Sequence, residues 1–168
     1  MLDHIIEAAV EQEGRRILVD LAAQTHEPLV RWIDESGVLE VAADNGVGLT
    51  YWHVMDNGRD AVDLLGKMLD AFGDRISHIL VRNQLRGDDF RLLDASPALA
   101  KANAMGARTV VIKHLNDAVS QKIDATSSSF WAASQSADKD VTGLGMMDRQ
   151  RVKVWLRDAY AGFDSVGV

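Results

Sequence analysis

No cysteine occurs in the 168-residue chain. That excludes disulfides, thiolate nucleophiles and zinc sites built on thiolates, and it fits a reducing cytoplasm. Proline is almost as scarce, with two residues, and no polar low-complexity tract divides the sequence. A single α/β domain over residues 1–168 is therefore expected, without an internal linker. No apolar run is long enough to span a membrane, and the opening Met1-Leu2-Asp3-His4 lacks the basic region and apolar stretch of a secretion signal. No membrane partner is expected. A phosphate-binding P-loop is also missing: the one partial match to G-x-x-x-x-G-K-[ST], Gly66-Lys67-Met68, has no upstream glycine and no hydroxyl, and it falls inside a predicted helix.

What is present is ordinary for a globular core. The chain is 47% hydrophobic and 26% charged, enough of each to bury an interior and solvate a surface. The formal charge of −7 argues against a surface that grips nucleic acid or anionic lipid all over. Only a local basic patch could serve that purpose.

Apolar periodicity alternates along the chain between helical and strand spacing. Residues 2–12 read as a helix stopped by Gly14, and 16–21 as a short apolar strand ending in an acid, of the kind buried on both faces. Helices are expected from Thr25 or the preceding loop to Ile33 and over 38–43. The pattern then repeats as a strand over 47–55, a helix over 58–72 and a strand over 76–82. Weaker helical sequence spans 90–105, with Ser96-Pro97 as a fresh helix start. A fourth strand covers 109–113 and a helix 117–125. Residues 126–145 are assigned to a loop region, its 135–145 part reading as a mobile loop, and 147–166 to a final amphipathic helix within the C-terminal segment 146–168. Together these predict a mostly parallel sheet of about four strands with helices on both faces, its core units within 1–125. Ligands of such sheets sit beyond the carboxyl ends of the strands.

The candidate residues cluster at those ends. Asp20 closes the first predicted strand, and Gln24-Thr25 follow shortly after, the arrangement by which an NTPase presents a Mg²⁺-linked acid and a group that positions water. Asp20 could equally cap the next helix. Arg82-Asn83 ends another strand, where Asn83 offers both a donor and an acceptor to the edge of a base, or caps a turn through its own backbone. Asn116 or Asp117 accounts for the start of the helix that follows the last strand.

As an ordered set, Arg16-Ile17-Leu18-Val19-Asp20-Leu21-Ala22-Ala23-Gln24-Thr25, Val81-Arg82-Asn83-Gln84 and residues 110–125 resemble the ParA/MinD family of P-loop ATPases, in particular its plasmid partition and mobilisation-associated members. The resemblance covers about residues 3–125. It implies that Asp20 belongs to a Walker B or switch II segment and acts on Mg²⁺ through water, with Gln24 beside it. It also implies that Asn83, with Arg82, contacts adenine, and that the segment containing Asp117 closes over the base. ATP and Mg²⁺ are the cofactors of such a protein in its complete form.

The missing P-loop limits the likeness. In that family a strand, a Gly-rich lysine loop, a helix and a second strand precede the position that Met1 occupies here. Without those backbone N–H groups, that lysine and that hydroxyl, Asp20 and Asn83 cannot hold a triphosphate. The chain alone is expected to need no cofactor and not to be an ATPase, whether as a fragment, as the product of a late start codon or as a degenerate relative. Loss of a central strand would leave an apolar edge, so a homo-oligomer, a partner protein or a rearranged strand order is expected.

Three further groupings have plainer explanations. His53, Asp56, Asp60 and Asp63 could be drawn together as a metal site, but Asp56-Asn57-Gly58 reads as a turn and acids suit a helix start. Tyr51 and Trp52 point to opposite faces of a strand. Arg149, Lys153 and Arg157 recur every four residues on the last helix, with Arg151 nearby, and would form a cationic stripe for DNA or simply a solvated face. A noncatalytic protein- or DNA-interaction domain using this helix is the alternative function.

Overall fold

The β-branched and aromatic runs of the middle of the chain form a three-stranded parallel sheet in a computed structural model that describes residues 3–22, 24–135 and 143–167. Its strands are β1 (Thr50–Met55), β2 (Ser77–Asn83) and β3 (Arg108–Ile112), in that spatial order. Thr50 is in register with Ser77, and Ile79 with Arg108. Each junction is a crossover: α4 (Arg59–Phe72) joins β1 to β2, and α5 (Arg91–Asp94) with α6 (Pro97–Ala104) joins β2 to β3. Parallel neighbours need such a return path, so the strand–helix alternation of the sequence and the topology are one fact.

Side-chain alternation then assigns the two faces. Met55 and Leu80 bury one face beneath α4, α5 and α6, together with Leu65, Leu69, Leu93 and Ala102. Ile79, Val81 and Val110 bury the other face beneath the last helix, α9 (Met146–Ser165), through Phe163 and the following Val166. The expected covering of both faces by helices is thus present. Ahead of β1, α1 (Asp3–Val10), α2 (His26–Glu35) and α3 (Val38–Asp44) pack on Met68, Phe72 and Tyr51. Trp32 Nε1 donates to Asp3 Oδ1 at 2.8 Å, tying α2 to α1. Beyond β3, α7 (Asp117–Ala125), α8 (Phe130–Gln135) and α9 bury Val119, Ile123, Ala133 and Val152 around Leu115 and Leu144.

Two expectations are corrected. The fourth strand, 16–21, is not formed: the segment has no regular secondary structure, pairs with none of the described strands, and Leu18 is 92% exposed. An apolar run becomes a buried strand only when neighbours satisfy its edges and cover its faces, and nothing described here does so for this one. The region 126–145 is also not all loop, because Ser129 Oγ accepts from Ala132 N at 3.1 Å and starts α8. The rest of the loop expected there falls largely on 136–142, outside the described residues. Among the described residues no helix is long and apolar enough to cross a membrane.

Candidate functional site

At the carboxyl rim of the sheet, three loops follow β1, β2 and β3. Asp56, just past β1, closes an Asx-type turn by accepting from Gly58 N at 2.9 Å through Oδ1. Its Oδ2 accepts from Arg86 at 2.9 Å, and Arg86 lies in the single 3₁₀ turn Gln84–Arg86 after β2. Gly87 completes the junction with φ +127°, and a Cβ there would stand 3.2 Å from Asn57 Nδ2. The first two loops are therefore fastened to each other by one ion pair and one close approach.

Arg82 and Asn83, at the end of β2, serve this rim in different ways. The Arg82 guanidinium turns towards the helical layer, pairing with Asp94 at 2.7 Å and lying 5.6 Å from the Phe90 ring centre. Its Nε is buried without a hydrogen-bond partner. Asn83 Oδ1 accepts from Leu85 N at 3.1 Å, the turn-capping role that the sequence left open beside base contact. Its amide nitrogen makes no hydrogen bond among the described residues.

After β3 the chain passes a cleft of about 320 Å³ between 113–116 and the flank of α9. Trp155 forms one wall. Its Nε1 donates to Lys113 O at 2.6 Å, and its ring lies 4.8 Å from that of Phe130. Lys113 Nζ pairs with Asp158 at 2.9 Å, and hydrogen bonds from Lys113 and then Arg157 hold the Asp158 carboxyl below its ordinary pKa. Asn116 is the N-cap of α7, accepting from Val119 N at 3.3 Å, while Asp117 takes the first helical position, exposed, and lies 3.2 Å from His114. The helix start is thus divided between the two residues the sequence offered for it, and acid at that position complements the helix dipole. The cleft itself escaped the sequence reading because it depends on α9 returning across β3, which no local pattern encodes.

Asp20 and Gln24 do not join this rim. Asp20 is exposed, and neither side chain makes a hydrogen bond or ion pair with Arg82, Asn83 or Asp117. Gln24 adopts φ +64°, and Thr25 Oγ1 donates to Ala22 O at 2.8 Å, so the segment ends in a local turn that leads into α2. Among the described residues, no group of three or more histidines or carboxylates is arranged to hold a metal ion. His53 of the grouping with Asp56, Asp60 and Asp63 is buried and engaged with Ala61 O at 3.0 Å instead.

The cationic stripe of α9 is partly neutralised within the fold. Arg149 donates to Leu144 O at 2.8 Å, Arg157 pairs with Asp158 at 3.1 Å and Arg151 with Asp148 at 3.0 Å, leaving Lys153 exposed between them. The other aromatics pack as strand alternation requires: Tyr51 lies 6.4 Å from Phe72 on one face, and Trp52 5.8 Å from Phe163 on the other. Gly66 and Lys67 lie inside α4, not in a loop. Comparison of the chain with models of known protein families, with curated proteins and with solved structures finds no match.

Proposed function

We propose that the chain is the later portion of a ParA/MinD-like partition or mobilisation protein that binds ATP and Mg²⁺ in its complete form and does not hydrolyse ATP through these residues alone. One observation carries the reading. Among the described residues the sheet stops at β1, whose outer edge is unpaired and whose Val54 is 63% exposed, while residues 16–21, the stretch likened to a Walker B strand, have no regular secondary structure and are also unpaired. On this reading they are two boundaries of an unfinished parallel sheet. A further strand in the complete protein then pairs with the free edge of β1 and brings a Gly-rich loop to the rim that Asp56, Asn83 and Asn116 form.

The chemistry of the described rim supports a share in nucleotide binding and no more. The Asn83 amide donor is not used by any described residue, the cleft beside Trp155 offers an aromatic wall, and neither supplies the backbone cradle or lysine charge that a triphosphate requires. Titration of the 168-residue protein with labelled Mg·ATP should show no saturable binding at micromolar concentration and no turnover. Expression from the same locus with the coding sequence upstream of Met1 retained should give a product with a Gly-rich lysine loop and measurable ATP affinity. Tight binding with turnover by the 168-residue chain, or an upstream stop codon, would sink the proposal.

DNA binding through α9 is the second reading, carried by exposed Lys153 together with the guanidinium of Arg157. Any such affinity should fall steeply between 50 and 200 mM salt, on the order of tenfold or more for a few phosphate contacts, and it should be lost in Lys153→Glu.

A further inference from the structure

The two most buried histidines lie on the α4 face of the sheet, on neighbouring strands. His53 is 4% exposed and His78 5%. Each reaches a backbone carbonyl at an opposite end of the same helix. His53 Nε2 is 3.0 Å from Ala61 O in the first turn of α4, and His78 Nε2 is 2.8 Å from Gly73 O at its C-cap. A carbonyl can only accept, so both rings carry their proton on Nε2, and the neutral ring satisfies each contact fully.

We propose that His53 and His78 are paired fasteners holding the two ends of α4 on the sheet, and that proton uptake by His53 under mild acid frees the helix together with the β1–α4 loop that carries Asp56. Among the described residues the charge neighbours that act on His53 are two other histidines, His78 and His26, and no carboxylate. On β1 the Tyr51 ring is stacked 6.4 Å from His53. On β2 the next charged residue along the same face is Arg82, a cation already committed to Asp94. α2 contributes His26, whose Nδ1 is 2.6 Å from Met68 Sδ. The charged residues of α4 itself, Arg59, Asp60, Asp63, Lys67 and Asp70, are exposed. So are Glu27, Arg31, Asp34 and Glu35 of α2, and Glu40 and Asp44 of α3.

A second proton would place a charge among apolar side chains and beside two more histidines. Burial accordingly holds the His53 pKa below its ordinary value of 6.5. The Ala61 hydrogen bond opposes this, and His78 and His26 add to the lowering. The direction of the pH effect follows. Below about pH 6.5 the unfolded chain binds a proton that folded His53 refuses, so stability is retained above that pH and lost as the pH falls.

Guanidinium unfolding of the 168-residue protein at pH 7.5, 6.5 and 5.5 tests the proposal. The folding equilibrium constant should fall by up to about tenfold per pH unit for the one proton that His53 refuses. In the double variant His53→Gln, His78→Gln, which keeps an amide donor for both carbonyls, most of that slope should disappear. An unchanged wild-type constant at pH 5.5, or an identical slope in the variant, would overturn the idea. Should the variant not fold, the wild-type ring C–H resonances decide: His53 should stay untitrated until the cooperative transition. A titration with an ordinary midpoint in the folded protein would refute the proposal.

Discussion

Individual side chains at close contacts set the tolerances of this molecule. Gly162 of α9 lies against β3, where a Cβ would stand 3.0 Å from Val110 Cγ1 and 4.0 Å from Val111 O. Gly162→Leu should therefore lower stability by about 1–3 kcal/mol through overpacking, measurable by chemical denaturation. Leu65 is fully buried beneath the sheet face, so Leu65→Ala should cost about 2–5 kcal/mol. Asp20 is exposed and makes no hydrogen bond or ion pair among the described residues, so Asp20→Ala should change stability by no more than about 0.5 kcal/mol. A larger loss would mean that the 16–21 segment contributes to the fold in solution. Arg82 shows the limit of reading one residue at a time: its position at a strand end was legible, whereas its engagement with Asp94 and Phe90 depends on a helix that arrives later in the chain.

Elements were legible where local chemistry decides them. Ser96 accepts from Leu99 N at 3.1 Å and Pro97 takes the next position, so α6 begins where the dipeptide Ser96-Pro97 placed it. Asn116 starts α7 by the same mechanism, and Asn116→Ala should cost about 1 kcal/mol in a thermal melt. The strand at 16–21 was misjudged because its apolar pattern specifies burial without specifying the neighbour that provides it. At the element scale one ion-pair junction also sets an acid limit. Asp148, at the start of α9, receives Lys122 of α7 at 2.7 Å and Arg151 at 3.0 Å. The Lys122 hydrogen bond, outweighing burial, is the main reason its carboxyl titrates below the ordinary 3.8. A depressed folded-state pKa means a contribution present above pH 4 and lost as the pH falls below it. Asp148→Asn should thus weaken the protein at pH 6 and make little difference near pH 2.5, as two denaturation series would show.

For the molecule as a whole, the two sides of the sheet are unequal. The outer edge of β3 is bounded by Arg108 and Lys113, charged residues of the kind that discourage further pairing. β1, Thr-Tyr-Trp-His-Val-Met, has no such charge, no proline and no bulge in its pairing with β2. Light scattering coupled to size exclusion should therefore show concentration-dependent association. Val54→Lys should reduce it without altering the fold, and a monodisperse monomer at all concentrations would contradict the unfinished-sheet reading. Hydrogen exchange should agree, with amides of β1 exchanging faster than those of the central strand β2.

The inequality of the two edges also bears on the form any assembly takes. A building block with one adhesive side and one blocked side cannot add units indefinitely. If β1 meets β1 across a two-fold axis, each contact uses up both available sides, and assembly ends at a closed pair instead of a filament.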